Sequence, residues 1–149
     1  MSRQRARGDR GTALIEVTWL AILLLVPLLY VVLAVFQVQR SAFAVSAASR
    51  AAGRAVAIAP SEAEALQRGS AAAAVALRDQ HLDEDRARIA ISCTPDPGNC
   101  LSPGSVIRVD VDYPVALPLM PSALGPDTPS VAVAATHRVP SGTFREDRP

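Results

Sequence analysis

From Val17 to Phe36 the chain carries no charged residue, and Leu, Ile, Val and Phe fill most of those positions. A run of about 20 such residues is the length a helix needs to cross the hydrocarbon core of a bilayer. At about −0.3 to −0.6 kcal/mol for each of these side chains, insertion is favoured by roughly −4 to −8 kcal/mol, which outweighs one Thr and one Pro. The run is therefore read as a transmembrane helix, and it leaves at most about 100 of the 149 residues for one small folded part. Pro27, in mid-run, lacks an N–H and is expected to kink or locally open the helix.

The flanks set orientation. Residues 1–10 hold four Arg and one Asp, while Arg40, Arg50 and Arg54 follow the run. Basic residues ahead of a first apolar segment normally stay on the cytoplasmic side, so the N-terminus is placed inside and the rest outside. Two closely spaced cysteines far beyond the run, Cys93 and Cys100, fit a disulfide on the oxidising side.

Three readings of this front end compete. Ala42-Phe43-Ala44 fits the small-x-small rule of a cleaved signal peptide, although the apolar run is longer than a usual signal core. A plain uncleaved anchor accounts for everything except the register of Gly11 and Glu16. The third reading rests on that register: Gly11 directly precedes the apolar helix and places Glu16 five positions on. This resembles type IV pilins, in which the leader is cut after such a Gly and the fifth mature residue is Glu. A carboxylate at the membrane edge gains a little from the helix dipole but is unfavourable without a partner. On the pilin-type reading, cleavage after Gly11 frees an amine at Thr12, which pairs with Glu16 of a neighbouring subunit and sets the register of packed helices.

Past Phe36 the helix is expected to continue, because Gln37 to Ala59 contains no Pro. Val38, Ala42, Val45, Ala48, Ala52, Ala55, Val56 and Ala59 approximate a stripe of helical period. With the leader and Thr12-Ala13-Leu14-Ile15-Glu16, the segments Val38-Gln39-Arg40-Ser41-Ala42-Phe43 and Ala47-Ala48-Ser49-Arg50-Ala51-Ala52-Gly53-Arg54-Ala55 resemble the TadE-like family. These are pseudopilin-like proteins of tight-adherence (Flp) pilus systems. The likeness is clearest over residues 10–60. It implies a minor, membrane-held component of type IV-like pilus assembly, with membrane lipid, other pilin-like subunits, the assembly machinery and a prepilin peptidase as partners. Gly11 and Thr12 would flank the cleaved bond, and Glu16 would be the assembly carboxylate. The family often has an aromatic residue after the Glu, where this chain has Val17. The implied location is the bacterial cytoplasmic membrane, single-pass, or a pilus.

The outer part reads as one helix and three strands. Ser61 and Glu64 have the spacing of a capping box, so a second helix starts here and runs to about Gln80, with Leu66, Ala73, Ala74 and Leu77 on its buried side. His81 to Asp85 form an acidic turn. Strands follow in which Ala87, Ile89 and Ile91, then Ile107, Val109, Val111 and Tyr113, then Val131, Val133, Ala135 and Val139 alternate with polar residues. Arg86 and Arg88 stand ready to face Asp110 and Asp112. A disulfide closing the Cys93–Cys100 loop would contribute about 2–3 kcal/mol. Pro103-Gly104 must break or bulge the entry to the second strand to keep the apolar faces in phase. The thiols lack CxxC spacing, which disfavours a metal or redox site. The apolar, Pro-rich stretch from Ala116 to Pro126 either caps the core or presents Leu119, Met120 and Leu124 to a membrane or partner. Ser141 to Pro149 read as a frayed tail.

His81 and His137 have no Cys, Ser or carboxylate partner at a readable spacing, and His137 falls in a strand register as a packing residue. The chain shows no phosphate-binding glycine loop, zinc spacing or basic nucleic-acid patch, and its net charge is +1. The expected protein is α+β and pilin-like: a leader over 1–11, a long helix over 12–59, a helix-and-sheet domain over 60–140 and a tail over 141–149. It is expected to be no enzyme, to hold no cofactor or metal, and to bind no nucleic acid. The alternative is an uncleaved single-pass protein whose outer domain binds a partner at the cell surface.

Overall fold

A computed structural model describes residues 9–117 and 129–144, with side chains from residue 14 onward. Most of the leader, the stretch holding Leu119, Met120 and Leu124, and the end of the tail lie outside these residues, as do the side chains of Gly11 and Thr12. The fold is α+β. A long helix α1 (Asp9–Ala57) is followed by α2 (Glu62–Asp79), a short 3-10 turn (Glu84–Arg86) and three strands, β1 (Arg88–Thr94), β2 (Val106–Ala116) and β3 (Ser130–Pro140). The strands form one antiparallel sheet in the order β1-β2-β3. Both helices lie on the same face of that sheet.

α1 runs unbroken through Pro27, which removes one internal hydrogen bond but does not end the helix. Its first half is exposed. Its second half is buried along Ser41, Ala44, Val45, Ala48, Ser49, Ala52, Gly53 and Val56, and Ala59 just past its end is buried too. The apolar stripe read from the sequence is corrected in two ways. Ala42 is exposed, and two serines take part in the buried face. They can do so because each hydroxyl is satisfied within the helix: Ser41 Oγ donates to the Gln37 carbonyl at 3.0 Å, and Ser49 Oγ to the Ser46 carbonyl at 3.0 Å.

α2 approaches α1 through small residues. Its buried line is Ala65, Gly69, Ala73 and Leu77, so the expected Leu66 is exposed and Ala74 only half-buried. Gly69 shows why. A Cβ there would lie 2.6 Å from Val56 Cγ2 and 2.8 Å from Ile91 Cδ1, where α2 meets α1 and β1 at once. Gly53 plays the same part toward the sheet, since its Cβ would stand 2.8 Å from Val139 Cγ2 and 3.1 Å from His137 Cδ2. His137 thus packs against α1, as its strand register implies.

Ser61 is the N-cap of α2 in an extended conformation, but its side chain makes no capping bond. The capping box does not close. Glu64 instead pairs with Arg68 at 2.6 Å, and Glu62 accepts the Cys100 amide at 3.0 Å.

The strand faces alternate as read, with Ile107, Val109, Val111, Tyr113 and Val115 buried in the central strand. On β3, Val133 is buried, while Val131 at the strand's start is exposed. Pro114 sits in the central strand, but β1 stops opposite Asp112, so Pro114 is paired with β3 alone. Arg86 donates to the Pro114 carbonyl at 3.3 Å and lies over the Tyr113 ring, 5.8 Å from its centroid.

The expected pairing of Arg86 and Arg88 with Asp110 and Asp112 is only a matter of register. Arg88 stands opposite Asp112, but Asp110 pairs with Arg108 of its own strand at 2.8 Å and accepts a bond from Thr136. Those bonds, from Arg108 first and Thr136 second, hold the Asp110 carboxyl below its ordinary range and raise the Arg108 guanidinium above its own.

Cys93 and Cys100 form the expected disulfide, with Cα atoms 5.2 Å apart. Cys93 is the last inward residue of β1, whereas Cys100 belongs to the loop, which also buries Leu101. Gly104, at φ +80°, turns the chain into β2, so the apolar faces stay in phase. Ser105 Oγ donates to the Cys100 carbonyl, and the Ser141 amide donates to the Ser105 carbonyl at 2.7 Å. Ser141 is therefore buried and anchored, a correction to the frayed tail read from Ser141 onward.

Candidate assembly face of the long helix

α1 is one helix long and apolar enough to cross a membrane. Its most apolar window has a mean hydropathy of 2.8, and none of it is buried by the rest of the chain. Within that window the side chains fall on two different faces. Successive residues turn by about 100°, so Glu16, Leu20, Leu23, Pro27, Tyr30 and Ala34 follow one another at steps of three and four along one side. The same side continues toward the C-terminal end of α1 through Ser41, Val45, Ala48, Ala52 and Val56, which face the sheet and α2. Tyr30, Ala34 and Val38 are already half-buried while their neighbours are exposed, which marks the line along which the two stretches join.

Glu16 stands at the N-terminal end of this face. It borders two shallow apolar grooves, one of about 310 Å³ with Val17, Leu20, Ala21 and Leu24, the other of about 420 Å³ with Trp19, Leu20 and Leu23. Among the described residues none pairs with its carboxylate. Gly11 and Thr12 lie in the first turns of α1, one turn before Glu16. Thr18, by contrast, satisfies itself, its hydroxyl donating to the Leu14 carbonyl at 2.8 Å.

The other sequence-derived candidates lie far from this face in the chain. Cys93 and Cys100 brace the outer domain. His81 ends α2 in a left-handed conformation at φ +58°, and Arg40 donates to the Gln80 carbonyl at 3.0 Å, closing the same helix end. Among the described residues no group of three His, Cys, Asp or Glu side chains is placed to hold a metal ion.

Tyr30 and the continuity of the face were missed in the sequence. The three-and-four spacing from Glu16 to Ala34 could have revealed them, but in an all-apolar run every face looks alike. Compared with protein-family models, curated proteins and solved structures, the chain has no match.

Proposed function

We propose that this chain is a non-enzymatic, minor pilin or pseudopilin-like component of a tight-adherence type pilus assembly system. It is held in the cytoplasmic membrane by α1 with its outer domain outside, and it acts by lateral helix packing. The observation that carries the reading is the exposed inner half of α1, with an unpartnered Glu16 one turn after a Gly11–Thr12 bond. A lone carboxylate at the membrane edge is unfavourable unless something answers it. A new amine at Thr12 of a neighbouring subunit answers it in charge and depth. The outer half of the same helix face is filled by the chain's own sheet and α2, so lateral packing falls to the inner half.

The test is the N-terminal mass of the protein recovered from its native membrane. A chain starting at Thr12, with processing abolished in Gly11→Ala, supports the reading. An intact leader in both proteins overturns it. The second reading, an uncleaved anchor whose outer domain binds a partner, draws on another surface. Phe43, 76% exposed, borders a groove of about 290 Å³ with Ala47, Arg50, Ala51 and Arg54, well beyond the apolar run. That reading gains if the leader is intact and substitution at Phe43 abolishes a surface interaction.

A further inference from the structure

Among the described residues, two polar groups in the middle of the apolar run have no partner within one copy of the chain. Pro27 has no N–H, so the carbonyl of Leu23, one turn earlier, lacks its regular donor. Tyr30 carries a hydroxyl close to the centre of the run, and no hydrogen bond joins it to a described residue. In hydrocarbon an unmet hydroxyl or carbonyl is far less favourable than in water, because no solvent molecule replaces the missing partner.

Pro27 and Tyr30 are three residues apart and share one side of α1. With Val26, Leu29 and Leu33 they line an open groove of about 460 Å³. Helical side chains lean toward the N-terminus, which carries the Tyr30 hydroxyl toward the level of Pro27.

We propose that a second copy of α1 fills this groove, parallel to the first and displaced outward by one helical turn. The Tyr30 hydroxyl of one copy donates to the Leu23 carbonyl freed by Pro27 in the next. The face offers one donor and one acceptor, so it is complementary to itself. Leu23 and Pro27 are four residues apart. A shift of four residues, about 6 Å, brings the neighbour's Leu23 carbonyl level with Pro27, where the hydroxyl stands. The same shift sets the neighbour's Thr12 level with Glu16, also four residues apart. Two separate polar pairs thus share one stagger. A lipid chain or a purely apolar helix leaves both the hydroxyl and the carbonyl unmet, whereas an interhelical hydrogen bond meets both. The contact deepens the assembly reading and rests on it, because the neighbour is another subunit of the same kind.

The experiment co-expresses full-length Trp19→Cys and Leu23→Cys chains, positions that the stagger places side by side. Mixed cross-linking is read in native membranes at limiting expression. The expected result is a 19–23 cross-link well above that of a Val32→Cys and Phe36→Cys pair on the opposite face. Tyr30→Phe and Pro27→Ala should each lower it roughly three- to tenfold, and the two together no further, because they remove the same bond. Equal cross-linking of the 32–36 pair, or an unchanged 19–23 yield in Tyr30→Phe, overturns the contact. The N-terminal mass from the same membranes separates the failures. A mature Thr12 end with a neutral Tyr30→Phe removes this contact alone, whereas an intact leader removes the assembly reading too.

Discussion

One continuous face of α1 is covered by the chain itself in its second half and left exposed in its first. Its outer half buries Val45, Ala48, Ala52 and Val56 completely, and the chain itself supplies what covers them: β2 and β3 on one side, α2 on the other. The inner half leaves Leu20 67% and Leu23 74% exposed on the continuation of that face. The outer face is built of Ala, Ser, Gly and Val because a sheet and a second helix must come close. The inner face carries bulky apolar side chains, a proline, a tyrosine hydroxyl and a carboxylate. The difference teaches that burial within one chain and exposure toward a membrane or neighbour can be assigned to one unbroken helix face. The sign of that assignment is side-chain size on the outer half and unmet polarity on the inner half.

Substitutions that leave one half intact while damaging the other sharpen the contrast. Leu77→Ala, which empties a fully buried site between α2 and the core, should destabilise the outer domain by about 2–5 kcal/mol. Leu24→Ala in the inner half should leave its unfolding midpoint unchanged, as read by thermal unfolding in detergent. A matched loss in both would break the comparison. Replacing Cys93 and Cys100 together by Ser should cost about 2–3 kcal/mol, with denaturant midpoints as the measure. Gly69→Val puts methyl groups where even a Cβ is within 2.6 Å of Val56, and overpacking of this kind costs roughly 1–3 kcal/mol. If Gly69→Val proves neutral, the close approach of α2 to α1 is not what sets the outer face.

The smallest effect is electrostatic. Asp110 is held below its ordinary value of 3.8 by Arg108 and Thr136. Its pairing therefore adds stability above that pH, and the stability is lost as the pH falls through the lower folded value. Asp110→Asn should remove this acid dependence while barely moving stability at neutral pH, because the pair is exposed. An unchanged acid-unfolding curve in the variant would contradict it.

α2 and the three strands were legible because each has its own hydrophobic period, and α1 because an apolar run leads into a stretch without Pro. The disulfide was legible because the chain has only two cysteines, close together. The details that failed depend on contacts across the fold. Leu66 reads as buried by hydrophobicity, yet the buried line of α2 runs through Ala65, Gly69, Ala73 and Leu77. Ser41 and Ser49 read as polar, yet helix carbonyls satisfy them internally. Ser61 and Glu64 look like a capping box, but Ser61 makes no capping bond and Glu64 pairs with Arg68, while Glu62 serves the Cys100 amide 38 residues away. Ser141 reads as free tail, yet its amide is held by the Ser105 carbonyl. Glu16 was legible as a lone acid beside an apolar run. The face it shares with Pro27 and Tyr30 was not, because no hydrophobic contrast distinguishes one side of that run from another.

The central claim is that one face of α1 meets protein from end to end. Lipid accessibility along the inner half tests it most directly, using a photoreactive lipid in native membranes and one labelled position at a time. The account predicts strong labelling at Leu25, Val32 and Phe36, with protection at Leu20, Leu23 and Ala34. Equal labelling around the helix would contradict it and leave the inner half as a plain anchor.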